Sequence, residues 1–355
     1  MIKIKEHLSN IQRVDCSKDL RRDCLRLDMN ENPSGLPARF IRKILASIDA
    51  NFLSAYPEYG KLQEKVAKVN GVKPENICLA NGSDAAIKYI FETYIEPGDK
   101  VLLTDPSFAM YPIYCRMYGA VSVFVDYASD LSLPFDQLLK SLSENIKMAV
   151  VVNPNNPTGS VLTKVQMKIL LEQAKRNNVL LVVDEAYFYY YNETVIKEVE
   201  DYDNLIVLRT LSKLCGIAAL RIGFAASTAA IAQNLRVVRP TYDVNAVAVA
   251  FALKILDQPK VIERMIEDVN KGREFLVAKL ASQNIAYVNG MGNFVLIDCG
   301  LRADQIREKL KLKRILVGGH FNQLFLKSYL RVSLGEPVLM KRFWDAFLPI
   351  WENLK

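Results

Sequence analysis

Between residues 60 and 230, short apolar runs rich in β-branched residues alternate with amphipathic stretches, and this alternation constrains the fold more than any other feature of the chain. The runs at 77–80, 100–104, 121–125, 147–152, 180–183, 205–208 and 222–225 read as strands, and several are apolar throughout. Strands without a polar face are covered on both sides, as in a mostly parallel sheet sandwiched by helices. Segments 84–95, 111–117 and 163–177 read as helices, the last with Thr163 as an N-cap ahead of a Leu/Val/Ile stripe at helical spacing. Strand and helix in alternation predict an α/β, doubly wound architecture.

The two ends have a different rhythm. Residues 247–282 read as one long helical stretch, followed by strand-like runs at 293–298 and 329–334. The expectation is a large α/β domain over 46–245 and a smaller α+β domain formed by 1–45 and 246–355. A chain of 355 residues is long enough for two such cores.

Composition excludes several classes of function. The net charge of +7 comes without a dense basic tract or arm, which argues against nucleic acid and allows attraction for small anions. The two histidines, His7 and His320, are isolated, so neither a metal cluster nor a Ser-His-Asp triad is expected. Six scattered cysteines suit reduced thiols better than a disulfide framework. The first residues hold no apolar signal segment, and no run approaches the ~18 apolar residues of a membrane span. A cytoplasmic protein is expected.

Candidate chemistry sits just beyond the strands, where ligands bind in open α/β sheets. Asp184 follows the run 180–183; taken alone it reads as a cap or a structural ion pair, and its alternative role is to partner a protonated heterocycle. Lys213 closes Thr210-Leu211-Ser212-Lys213 after the run 205–208, and Arg221 follows. A lone lysine is usually a solvated charge. Beside two hydroxyls and an arginine able to hold a phosphate, it could instead be an amine nucleophile of lowered pKa. Asn81-Gly82-Ser83-Asp84, between a strand and a helix, is an ordinary cap or a second anion site. Asn153-Pro154-Asn155-Asn156-Pro157-Thr158-Gly159 forms a rigid turn at the sheet edge, and Tyr111 is a core aromatic or a lid on a planar ring.

In order along the chain, Asn153-Pro-Asn-Asn-Pro-Thr-Gly159, Asp184-Glu-Ala-Tyr187, Ser212-Lys213 with Leu220-Arg-Ile-Gly-Phe224, and Tyr329-Leu-Arg-Val-Ser333 resemble fold-type I enzymes dependent on pyridoxal 5′-phosphate (PLP), the class I/II aminotransferases. Asn30-Glu-Asn-Pro33, Tyr56-Pro57 and Val207-Leu-Arg-Thr-Leu-Ser-Lys213 are most like the histidinol-phosphate aminotransferase branch. The resemblance implies that Lys213 holds PLP as a Schiff base and then moves a proton at the substrate. It implies that Asp184 pairs with the ring nitrogen, that Tyr187 and Asn156 bond the ring's 3′ oxygen, and that Tyr111 stacks on the ring. Ser83, Asp84, Thr210, Ser212 and Arg221 would surround the phosphate, the first two through backbone N–H. Arg331, with Asn156 beside it, would clamp the substrate carboxylate. Tyr56 would reach the site of a neighbouring subunit, implying a homodimer.

The chain departs from that branch on the substrate side. Its members usually carry an arginine for the substrate phosphate where Gly318 follows Ile315-Leu-Val317, and a Pro-Tyr segment where residues 10–15 read Asn-Ile-Gln-Arg-Val-Asp. Arg13, Lys18, His320 and Lys327 are candidate replacements. The expected activity moves an amino group between a donor pair such as glutamate/2-oxoglutarate and a small amino acid or amino-alcohol phosphate, whose keto form is the acceptor. The alternatives are a decarboxylase of a phosphorylated amino acid and a non-catalytic PLP-binding regulator, the latter short of residues for a DNA-binding domain.

Overall fold

A computed structural model describes residues 2–9, 11 and 21–354. Its strands are β1 (Leu25–Leu27), β2 (Ile77–Ala80), β3 (Lys100–Asp105), β4 (Val121–Asp126), β5 (Met148–Val152), β6 (Leu180–Asp184), β7 (Leu205–Thr210), β8 (Gly223–Ala226), β9 (Tyr287–Val288), β10 (Phe294–Asp298), β11 (Ile315–Val317) and β12 (Tyr329–Ser333). Seven of them form one sheet in the order β2-β8-β7-β6-β5-β3-β4. Neighbours from β7 to β4 run parallel, and β8 is antiparallel to both β7 and β2. The buried strands β2, β5 and β7 expose no residue on either face, matching their unbroken apolar runs.

Helices cover both faces. One face packs Leu79, Val151, Val183 and Val207 against Met167, Leu170 and Leu171 of helix Lys164–Arg176, which starts at a capping box between Thr163 and Gln166. The other packs Val150, Val182 and Ile206 against Ile87, Ile90 and Phe91 of helix Ser83–Tyr94. The large-sheet core also takes in Leu36, Phe40 and Ile44 and the helix Ala246–Leu256. A second core joins β1, β10, β11 and β12 to the helices Ala303–Leu312 and Pro337–Glu352.

The stretch 247–282 is two helices rather than one. Ala246–Leu256 ends before Asp257-Gln258, and Pro259 opens Pro259–Ser282. A proline has no N–H to continue the first helix but fits the first turn of the second. No described helix is long and apolar enough to cross a membrane.

Candidate active site

The C-terminal ends of β2, β5, β6 and β7 lie along one edge of the sheet, so the residues that follow them meet there. Asp184 is the last residue of β6, in register with Val152 and Leu208. It is 2% exposed and has no ion-pair partner among the described residues. Tyr111 Oη donates to its Oδ2 at 2.8 Å and Ala186 N to its Oδ1 at 3.0 Å. Burial pushes the carboxyl up to about 6, against the lowering effect of these two donors and of the Lys213 charge. A buried carboxylate facing a cleft with no counter-ion of its own suits a protonated ring nitrogen.

Lys213 lies just past β7, half-buried on the same cleft. Its Nζ donates to Met29 O at 3.1 Å and stands 5.8 Å from the Tyr187 ring centre. Burial, then the Arg331 and Arg221 charges, hold the amine down to about 8, although Glu31 and Asp184 act the other way. A substantial neutral fraction is therefore present near pH 8, where an ordinary lysine is protonated. In the apoprotein, the rate of aldehyde capture should rise roughly tenfold per pH unit and level off above about 8, because the protonated amine is not a nucleophile. Stopped-flow reconstitution across pH would show this; a rate still climbing at pH 10 would contradict it.

At one end of the cleft the backbone closes on Arg221. A Cβ at Gly82 would lie 2.5 Å from Arg221 Nη2, and one at Gly223 would lie 2.5 Å from Ser83 N. Only glycine at these two positions lets the guanidinium, the helix N-terminus at Ser83 and the strand approach one another. Arg221 itself adopts φ 54°, and its Nη1 reaches Ser212 Oγ at 3.4 Å. Thr210 Oγ1 donates to Ser212 Oγ at 2.9 Å. Hydroxyls, amides and one guanidinium on a single rim supply the donors that a dianion requires.

The cleft, about 110 Å³, is lined by Ser83, Asp84, Asn156, Asp184, Tyr187, Thr210, Ser212, Lys213 and Arg221, with Phe108, Val152 and Ala186. Nine of the residues read from the sequence thus meet in one place. Asn30 Nδ2 donates to Tyr187 Oη at 2.8 Å, and Arg331 Nη1 donates to Asn156 Oδ1 at 2.6 Å. Arg331 Nη2 donates to Asp28 O at 2.6 Å, while its buried Nε has no partner and no carboxylate pairs with it among the described residues.

Tyr111 is placed differently from the sequence expectation. It is buried behind the wall, in the first turn of helix Met110–Met117, and bonds Asp184; Phe108 holds the wall position instead. Phe108 and Asn30 were not singled out individually; Phe108 shares a short aromatic loop with Tyr111, and Asn30 stands in the Asn-Glu-Asn-Pro segment. Gly318 bridges to Arg331, and a Cβ there would lie 3.1 Å from Arg331 Nη2, so the small residue leaves room for that guanidinium. His320 and Lys327 are exposed and do not line the cleft, whereas Arg13 and Lys18 lie outside the described residues. Tyr56 is 72% exposed, stacked on Tyr242 with ring centres 3.9 Å apart.

A larger cavity, about 300 Å³, lies beside Glu185 and Arg209, which follow the opposite side of β6 and β7. Its buried polar groups satisfy each other: Arg209 bonds Glu185 at 2.8 Å, Thr194 at 2.7 Å and Asn70 at 2.6 Å. The remaining charge in its lining is the exposed Lys197, whereas the smaller cleft brings a buried carboxylate, an amine and a guanidinium together.

The fold is that of the fold-type I, PLP-dependent transferases. The chain belongs to the aminotransferase class I and II family, whose pattern matches residues 22–347. It is 34% identical over 314 residues to the histidinol-phosphate aminotransferase of Thermoanaerobacter pseudethanolicus, covering 87% of this chain and 88% of the relative. It is 32% identical over 332 residues to that of Symbiobacterium thermophilum, covering 91% and 90%. In fold it is similar to histidinol-phosphate aminotransferase from Sinorhizobium meliloti in complex with pyridoxal 5′-phosphate, with TM-score 0.85 and 24% identity over 93% of this chain and 91% of that one. It also resembles aspartate aminotransferase from Thermus thermophilus with maleate, with TM-score 0.78 and 22% identity over 92% of each chain. The protein is an aminotransferase and uses PLP.

Proposed function

We propose that this enzyme exchanges an amino group between glutamate and the keto form of a small amino acid or amino-alcohol phosphate, of the kind the histidinol-phosphate aminotransferases take, with 2-oxoglutarate as the other product. One observation carries the reading: Lys213 and the uncompensated Asp184 share a cleft with an anion cup at one end and the Asn156–Arg331 pair beside it.

When bound, PLP supplies an electron sink for the charge left at the substrate Cα as its proton departs. Lys213 would anchor the aldehyde and, once freed by the substrate amine, carry the proton at Cα. Asp184 would keep the ring nitrogen protonated. Tyr187, held by Asn30, and Asn156 would bond the ring's 3′ oxygen. Phe108 would cover a ring face in place of Tyr111. Ser83, Asp84, Thr210, Ser212 and Arg221 would hold the phosphate. Arg331, lacking a carboxylate partner, would bind the substrate carboxylate.

The test is to add glutamate, without a keto acid, to the purified yellow protein. Conversion to the pyridoxamine form with release of 2-oxoglutarate is expected. Carbon dioxide release from a phospho-amino acid with the cofactor form unchanged would instead establish decarboxylation. Histidinol phosphate and unphosphorylated analogues, compared by kcat/KM, then assign the second substrate. Arg331→Ala is expected to lower kcat/KM for glutamate by roughly 10- to 100-fold, the worth of a charge-assisted contact of about 1.5–3 kcal/mol. Unchanged donor kinetics would remove Arg331 from the carboxylate role.

The exposed Tyr56–Tyr242 stack supports a homodimer in which Tyr56 reaches the partner's phosphate cup. Mixing unfolded Tyr56→Ala and Lys213→Ala chains and refolding them together should restore activity, since one site of each mixed dimer then lacks both lesions. Two inactive parents giving an inactive mixture would refute the arrangement. A large domain that takes in, besides 46–245, residues 36–44 and 246–256, whose side chains join the large-sheet core, a small domain from the remainder of both ends, and a cytoplasmic location suited to scattered cysteines belong to the same proposal.

A further inference from the structure

Tyr111 does not line the cleft, yet its hydroxyl is the side-chain donor to the carboxylate on which the cleft's chemistry turns. It is 2% exposed and donates to Asp184 Oδ2 at 2.8 Å. Ala186 N holds the other oxygen at 3.0 Å, so the carboxylate is gripped through both oxygens. Tyr111 is itself well placed: its N donates to Phe108 O at 3.2 Å, and its ring meets Phe108 edge-on with centres 6.0 Å apart. The loop before it is pinned by Ser107 Oγ to Asn155 Oδ1 at 2.8 Å and by Asn155 Nδ2 to Pro106 O at 2.9 Å. One short segment therefore carries both the aromatic wall of the cleft and the donor behind it.

We infer that Tyr111 is a positioning residue for amino transfer, holding Asp184 ionised and aimed at the ring nitrogen of the bound cofactor. This rests on the proposed pairing of Asp184 with that nitrogen. Burial and the adjacent Asp184 charge push the phenol well above its usual range, so it stays a donor across the working pH range. Around Asp184 stand Tyr111 from its helix, Lys213 from the loop after β7 and Glu185 next in sequence, with Tyr187 beyond. Asp84 and Tyr114 face Tyr111. Lys213 favours the ionised carboxylate, and the Glu185 charge, tied to Arg209, opposes it. Removing the hydroxyl leaves burial less opposed, which moves the carboxyl upward.

Tyr111→Phe removes the donor and keeps the ring. In the holoenzyme, the glutamate half-reaction followed by cofactor absorbance should slow about tenfold near neutrality, with KM changed less than about twofold. Its acid limb should move to higher pH by at least about half a unit. In an Asp184→Asn background the same change should cost nothing further in cofactor affinity or rate. With 3-fluorotyrosine at position 111, a stronger donor of nearly equal size, the limb should move to lower pH. An acid limb unmoved by both changes, or losses that multiply in the double variant, would overturn the inference. A wild-type enzyme that fails to release 2-oxoglutarate from glutamate would instead sink the parent reading, whatever Tyr111→Phe does.

Discussion

Lys213→Ala is expected to lower the rate of amino transfer by about 10⁴-fold or more while the protein still takes up PLP. Proton transfer by one positioned side chain is alone worth roughly 10²–10⁴-fold, and the covalent anchor is lost with it. Cofactor uptake should persist because Asp184, Arg221, Thr210 and Ser212 line the same cleft and are untouched by the change. Borohydride reduction followed by mass spectrometry provides the check: the wild-type chain gains one cofactor mass on Lys213, and the variant gains none. A variant retaining more than a per cent of wild-type kcat would show that another group carries the proton. Burial and the nearby Arg331 guanidinium hold the Lys213 amine down to about 8, which suits the proposed role.

Asp184→Ala should damage binding and rate together. A charge-assisted contact to the ring nitrogen, of about 1.5–3 kcal/mol, corresponds to a roughly 10- to 100-fold weaker Kd for PLP. The rate should fall further still, because an uncharged ring nitrogen accepts electrons from the substrate poorly. The apoprotein should respond in the opposite direction. Its buried carboxyl, raised to about 6 with no cation paired to it, opposes folding above that pH, so the alanine apoprotein should melt no lower than wild type at pH 8. The sign follows from the raised pKa: the unfolded chain ionises more readily than the folded one, and the penalty fades as pH falls through about 6. Fluorescence titration with PLP and thermal melts of apo- and holoprotein test both halves. Normal Kd and kcat would contradict the electron-sink role.

The central sheet was legible because strands such as β2, β5 and β7 are buried on both faces, which leaves an unbroken apolar run, while the edge strand β4 is exposed at Val121 and Phe124. Errors came at the ends: β7 continues through Arg209, whose partner Asn70 lies far away in the chain, and through Thr210, which bonds Ser212. The break at Pro259 was written in the residues, since a proline opens a helix more readily than it continues one. Which of two aromatics faces the cleft was not written there. Phe108 lies in the loop and Tyr111 in the first turn of the helix Met110–Met117, so their roles depend on where that helix begins.

By itself the amino-acid sequence determined an α/β sheet with polar residues just beyond its strands, and the resemblance of Asn153–Gly159, Asp184–Tyr187 and Ser212–Lys213 to the class I/II aminotransferases implied their chemistry, because such motifs are local in the chain. Only the tertiary structure decided which distant groups complete that site. Arg331 meets Asn156 and the Asp28 carbonyl, Asn30 meets Tyr187, and Gly318 stands aside for Arg331. The physical reason is range: a strand's pattern is set by its immediate burial, whereas the partner of a buried charge is set by how two cores separated along the chain pack across one cleft.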